Sequence, residues 1–281
     1  MTSDEQSALK VVMKRFVLVL ASFLVIFMTG PVYAQNNLNK AASKIETGIS
    51  NILDELGKTI SLVARETGRI GLDNEIEMRK LLQKNVSDSK PHVIDSAFID
   101  SKGIMRITEP DQYRNYEGSD ISKQEAVIKM IKTKKPRMGS LFLSVEGIKS
   151  VDIEHPVFSK EKQFIGSVSI LIKPEELIRS VVAPIEKDLA VKCWVMQKDG
   201  VILYETDPTQ IKLNLFTDPR YKDYPELIAL GKKMIKNNKG EGFYNFQAQG
   251  TKNIVKKKAV WKTIHFLNND WIVVAYKEEK K

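Results

Sequence analysis

The stretches "SAFIDSKGIMRITEP" (96–110) and "KCWVMQKDGVILYETDP" (192–208) write one hairpin twice. In each, an aromatic–aliphatic pair leads into a polar turn carrying Lys and Gly, then more aliphatic residues, then an acid and a proline. Phe98–Ile99 corresponds to Trp194–Val195, Gly103–Ile104–Met105 to Gly200–Val201–Ile202, and Pro110 to Pro208. A chain that repeats a two-strand unit is expected to fold as two similar modules, and 281 residues leave room for two cores.

The flanks of the two copies repeat the same order. From Pro91 the apolar period is two, which predicts strands at 93–99, 103–108, 140–146, 149–158 and 164–172. Between them a helix is expected at about 122–133, where Ser122 and Glu125 have the capping-box spacing. The second copy opens with a linker helix at Pro174, the residue type favoured in a first helical turn. Strands at 191–197 and 200–205 follow, then a helix from Pro225 ending in Lys232, Lys233 and Lys236, then strands at 242–248, 256–266 and 270–277. Runs of strands around short helical excursions imply an α+β fold with antiparallel sheets.

Ahead of both copies lies a helical stripe. Ile45, Ile49, Ile52, Leu56, Ile60 and Val63 recur at steps of three and four, the pattern of an amphipathic helix. Gly68 and Gly71 interrupt it, and Asp73 is the expected N-cap of a second helix with Glu75 and Glu77 in its first turn. The stripe suits a face packed on its own domain and a homodimer seam through residues 45–63. Further upstream, Lys10, Lys14 and Arg15 precede the apolar run Phe16–Met28, and the small residues of "VYA" precede Gln35. A run this short, between a charged flank and a small-residue site, reads as a signal peptide cleaved after Ala34, with an uncleaved anchor through 16–28 as the alternative. The chain is therefore expected to work in the periplasm or outside the cell, free or tethered.

Catalytic signatures are missing. His92, His155 and His265 are scattered, no set of ligands has zinc spacing, and no nucleophile elbow or P-loop occurs. Cys193 stands alone in a strand and reads as a structural thiol. The net charge of +9 is concentrated in "GKKMIKNNKG" and "KKK" (256–258), without the interleaved aromatics of a single-strand binder, so no nucleic-acid partner is expected. Asp152 and Glu154 share a strand face whose simplest reading is the wet side of a sheet.

The stretches "YEGSDIS" (116–122), "MGSLFLSVEGIKSVDIEHPVFSKEKQFIGSVSILIKPEEL" (138–177) and "WKTIHFLNNDWIVVAYKE" (261–278) resemble the double Cache family, the extracytoplasmic PAS-like input modules of chemoreceptors and sensor kinases. The resemblance implies a long N-terminal helix followed by two PAS-like antiparallel-sheet modules in tandem. It divides the chain into a leader (1–34), a helical segment (35–90), a membrane-distal module (91–173), a linker helix (174–189) and a membrane-proximal module (190–281). It further implies a non-enzymatic sensor without cofactor or metal, binding a small ligand in the distal module. Because the family's second membrane helix and output domain are absent from this sequence, signalling is expected to run through a membrane receptor or kinase partner. Amino-acid-sensing members carry Arg-x-Trp-Tyr and an Asp at the last distal strand; here "YRNYEGSD" lacks the Trp and "SILIK" lacks the Asp. Arg106, Tyr113, Arg114 and Tyr116 remain as donors suited to a carboxylate, with Asp120, Ser144 and Asp152 completing the candidate site. The expected ligand is a small carboxylate. The proximal copy, rich in Trp194, Trp261 and Trp271, is expected to be better packed and ligand-silent.

Overall fold

The computed structural model describes the backbone of residues 3–279 and the side chains of residues 36–279. Helix α1 (Ser3–Ile70) and helix α2 (Glu75–Asp88) precede two antiparallel sheets. The first sheet is built from β1 (Val93–Asp100), β2 (Met105–Glu109), β3 (Arg137–Met138), β4 (Phe142–Leu143), β5 (Lys149–Phe158) and β6 (Phe164–Ile172). Its order is β2-β1-β6-β5-β3, with β4 also on β5, and α3 (Glu125–Thr133) lies in the excursion between β2 and β3. Helix α4 (Pro174–Leu189) leads to β7 (Lys192–Gln197), β8 (Ile202–Glu205), α5 (Pro225–Met234), β9 (Lys239–Gln247), β10 (Ile254–Phe266) and β11 (Asn269–Glu278). The second sheet runs β8-β7-β11-β10-β9. The fold is α+β, a long helix followed by two tandem PAS-like modules.

The repeated hairpin sets both sheets. Each copy has a bulge at the same place: Phe98 pairs with Ile107 but Ile99 with Met105, and Val195 pairs with Tyr204 but Met196 with Ile202. Aligned on the bulge, Phe98 matches Val195, one residue away from the match read in the sequence, and Arg106 matches Leu203. Gly103 and Gly200 close the two turns at φ of 83° and 95°, a left-handed conformation that glycine adopts without a Cβ penalty. Beyond each turn, the bridge Ile104–Asp120 is answered by Val201–Asn214.

The helical stripe is buried inside the chain. Ile45, Ile49, Leu53 and Ile60 are fully covered and join β5, β6, β10, β11 and α4 in one continuous core that crosses both modules. The side chains expected to form a homodimer seam are thus packed against the chain's own sheets. Three local expectations also change. Asn74, not Asp73, caps α2 by accepting from the Glu77 N–H. Helix α3 starts at Glu125 without a side-chain cap, because Glu125 pairs with Lys129 and the Ser122 N–H goes to Asp120. The strand expected at 140–146 is reduced to the two-residue β4 on β5, with the equally short β3 just before it, since most of 139–146 crosses over the sheet face. Among the described residues no helix is long and apolar enough to cross a membrane. The run Phe16–Met28 and the expected cleavage site after Ala34 lie outside the residues whose side chains are described.

Candidate functional site

In the first module the sheet face away from α1 is covered by α3 and the 139–146 crossover, and a small cavity of about 40 Å³ lies between them. Strands β1, β5 and β6 supply Asp95, Asp152, Glu154 and Ser169 to its floor; Gln124 and Val127 come from the excursion, and Phe142, Ser144 and Glu146 form the roof. The alternation in "SVDIEHP" aims Val151 and Ile153 at the helix core and Asp152 and Glu154 the other way. That other way is not water. Asp152 and Glu154 are 4% and 1% exposed, because the excursion closes over the face read as wet in the sequence.

Four carboxylates therefore meet in one small space. The guanidinium of Arg137, itself buried, reaches Asp152 Oδ2 at 3.3 Å and Glu154 Oε2 at 3.7 Å. Ser167 donates to Glu154 Oε1 at 2.6 Å. Asp95 Oδ2, both Glu146 oxygens and the Ser144 hydroxyl have no hydrogen-bond partner among the described residues. Desolvation dominates the titration of the site. It pushes Glu154 up to about 8, helped by the neighbouring Asp152, and raises Asp152 and Asp95 above the usual carboxylate range. Glu146 adds to the shift of Asp95. With one guanidinium against four carboxyl groups, a cation placed in the site satisfies acceptors that are left unpaired. No group of His, Cys, Asp or Glu among the described residues has the geometry of a metal site.

The sequence-derived candidates divide between the cavity and its outside. Asp152 and Ser144 line it. Tyr116 is half-buried and packs against Ala97, Ile99, Met105, Ile121 and Val127, just behind the wall. Arg106 lies outside, half-exposed, its Nε donating to Asp100 Oδ2 at 2.7 Å. Arg114 forks onto Glu109 at 3.0 and 2.9 Å, and Arg79 from α2 holds Glu109 and Glu117 together from the other side. Tyr113 sits in the same 3-10 turn, Asp111–Tyr116, outside the cavity. Asp120 accepts the Ser122 N–H at 3.0 Å, as Asn214 accepts that of Phe216 at 2.9 Å, so it shapes a turn that both modules share. Asp95, Glu146, Glu154 and Arg137 were missed. An acid inside an apolar strand was the available signal, unreadable without knowing that the far face is covered.

The larger opening is in the second module. A cavity of about 350 Å³ lies between its sheet and the α5 excursion, although Trp261 and Trp271 are fully buried as expected of a packed core.

Residues 51–174 match the family model described as HK/GC/Chemotaxis protein-like, sensor domain. No curated protein matches. Among solved structures, an extracellular ligand binding receptor from Desulfohalobium retbaense DSM5692 superposes with a TM-score of 0.72 at 23% identity over 85% of this chain; the chain spans 40% of that structure. The ligand binding domain of the Pseudomonas aeruginosa PAO1 amino acid chemoreceptor PctC, in complex with GABA, gives a TM-score of 0.61 at 14% identity, covering 86% of this chain and 99% of that one. The corresponding domain of PctB, in complex with L-Gln, gives 0.59 at 14% identity, covering 86% and 90%. Residues 51–174 are thus similar to the HK/GC/chemotaxis protein-like sensor domain, and the chain as a whole shares the fold of these ligand-binding domains.

Proposed function

We propose that this chain senses a small solute carrying an ammonium group, bound in the distal module, and passes the signal to a membrane receptor or kinase partner from the extracytoplasmic side. The observation that carries the reading is the convergence of Asp95, Glu146, Asp152 and Glu154 on one small cavity, opposed by the guanidinium of Arg137. A volume of about 40 Å³ suits an ammonium head. The remainder of the ligand enters as the 142–146 roof yields, since only the two-residue strand β4 ties it to the sheet. The ligands named for the PctC and PctB domains, GABA and L-Gln, each carry an amino group beside a carboxylate and are compatible with ammonium recognition here. The carboxylate ligand expected from Arg106 and Arg114 has less support, because both guanidiniums lie outside the cavity and already hold Asp100 and Glu109.

A thermal-shift panel on the full chain tests this with n-butylamine, GABA, L-glutamine and butyrate. An amine at ~100 times its dissociation constant adds roughly 2.7 kcal/mol and raises Tm. The expected result is a rise with at least one amine and none with butyrate. A rise with butyrate alone would return the site to the carboxylate reading.

A further inference from the structure

The cavity of the second module occupies the same place in its fold as the distal site does in the first, between the sheet face away from α1 and the helical excursion. The bulge alignment equates Thr108 of β2 with Glu205, and Ala97 of the distal cavity with Trp194. The duplicated position has thus gained an acid and an indole. Glu205 is 8% exposed; its carboxylate accepts the Thr206 N–H at 2.8 Å and the Tyr276 hydroxyl at 3.5 Å. Lys257, 3% exposed, lines the same cavity from β10, with its ammonium 4.7 Å from the centre of the Tyr276 ring. The two charges act on each other across the cavity, and Glu278 also acts on Lys257, but among the described residues neither is held in a direct ion pair. Burial raises Glu205 to about 7 and lowers Lys257, so each charge is held at a cost in desolvation. Trp194, Tyr221, Tyr244 and Phe246 supply aromatic wall, and Gln210 and Gln247 supply amides. At about 350 Å³ the space falls within the range of small-molecule pockets, and Ala248 and Gly250 of the β9–β10 turn stand at its rim.

We propose that the proximal module holds a second ligand site, for a small zwitterion with a planar apolar body, whose cationic group meets Glu205 and whose anionic group meets Lys257. Two buried charges of opposite sign without a direct ion pair in one aromatic cavity select such a ligand over a simple amine or a simple acid, each of which contacts only one of them. The site is independent of the distal reading.

Calorimetric titration of the full chain with L-phenylalanine, phenethylamine and 3-phenylpropionate tests the assignment. L-phenylalanine is expected to bind at least tenfold more tightly than either single-charge analogue. Glu205→Gln and Lys257→Met should each weaken it at least tenfold, while Asp152→Asn in the distal site leaves it unchanged. Should either core variant fail to fold, Ala248→Trp at the rim serves instead and should block binding without loss of thermal stability. No binding of L-phenylalanine, binding equal to that of phenethylamine, or binding lost only with Asp152→Asn would overturn the proposal. The last result would assign the ligand to the distal site.

Discussion

Arg137 is where the distal site balances stability against binding. It is the one cation among the carboxylates, so Arg137→Met leaves Asp152 and Glu154 without it. Their raised pKa values let the acids protonate rather than stay as bare buried charges, which limits the expected cost to about 1–3 kcal/mol in chemical denaturation. The same shifts give the ligand-free protein a pH dependence. Between pH 6.5 and 8 the folded state keeps protons on Glu154 that the unfolded chain, with an ordinary carboxyl, has lost. The folded state then binds more protons, so stability falls as pH rises through this window. Glu205, raised to about 7, acts in the same direction. His155, lowered to about 4 by burial, and His92, also lowered, oppose it in the lower half of the window, where the unfolded chain still binds part of their protons, but two raised acids outweigh them. The urea midpoint should therefore drop from pH 6.5 to 8, and drop less in Glu154→Gln; a flat wild-type profile contradicts the electrostatic account. At this scale the sequence was least legible. Asp152 and Ser144 reach the cavity, but Asp152 was read beside Glu154 as solvated, and Arg106 and Arg114 were read as free donors. Their true partners, Asp100 and Glu109, sit close along the chain, but only the paired geometry of β1, β2 and the following turn shows that the pairs form.

Elements were more legible than residues, because their signals are periodic. The stripe from Ile45 to Val63, the two hairpins and Pro174 at the start of α4 all appear where the pattern puts them. Periodicity does not say what a face packs against, and the stripe turned out to serve two sheets of its own chain. Ile49→Ala should accordingly cost on the order of 2–5 kcal/mol, the range for a fully buried large-to-small change. Leu62, 52% exposed on the outer side of α1, should tolerate Ala within about 0.5 kcal/mol. Equal effects of the two changes on the denaturation midpoint would contradict this orientation of the helix. Short elements failed for the opposite reason: β3 and β4 have two residues each, too few for any period to show.

Across the whole molecule, the distal roof is tied to the proximal module. The Met138 N–H donates to Asn268 Oδ1 at 2.9 Å, Asn269 Nδ2 donates to Gly139 O at 2.6 Å, and the Leu141 N–H donates to Gln197 Oε1 at 2.7 Å. These bonds join the segment between Arg137 and the roof to the β10–β11 turn and to the end of β7, so a ligand that shifts the roof is expected to reach the second sheet. Asn268→Ala with Asn269→Ala should leave distal affinity within about twofold yet reduce the ligand-induced protection of β10 and β11 in hydrogen exchange; unchanged protection would contradict the coupling. The duplication was visible in the sequence, whereas the direct bonds between modules were not, since they join residues far apart in the chain. The central claim is the acidic distal site, and calorimetric titration of the full chain with GABA and butyrate tests it most directly. Binding of GABA that is lost in Asp152→Asn and retained in Arg106→Ala and Arg114→Ala is the predicted result. Binding of butyrate, or loss of GABA binding in the arginine variants with retention in Asp152→Asn, would contradict it.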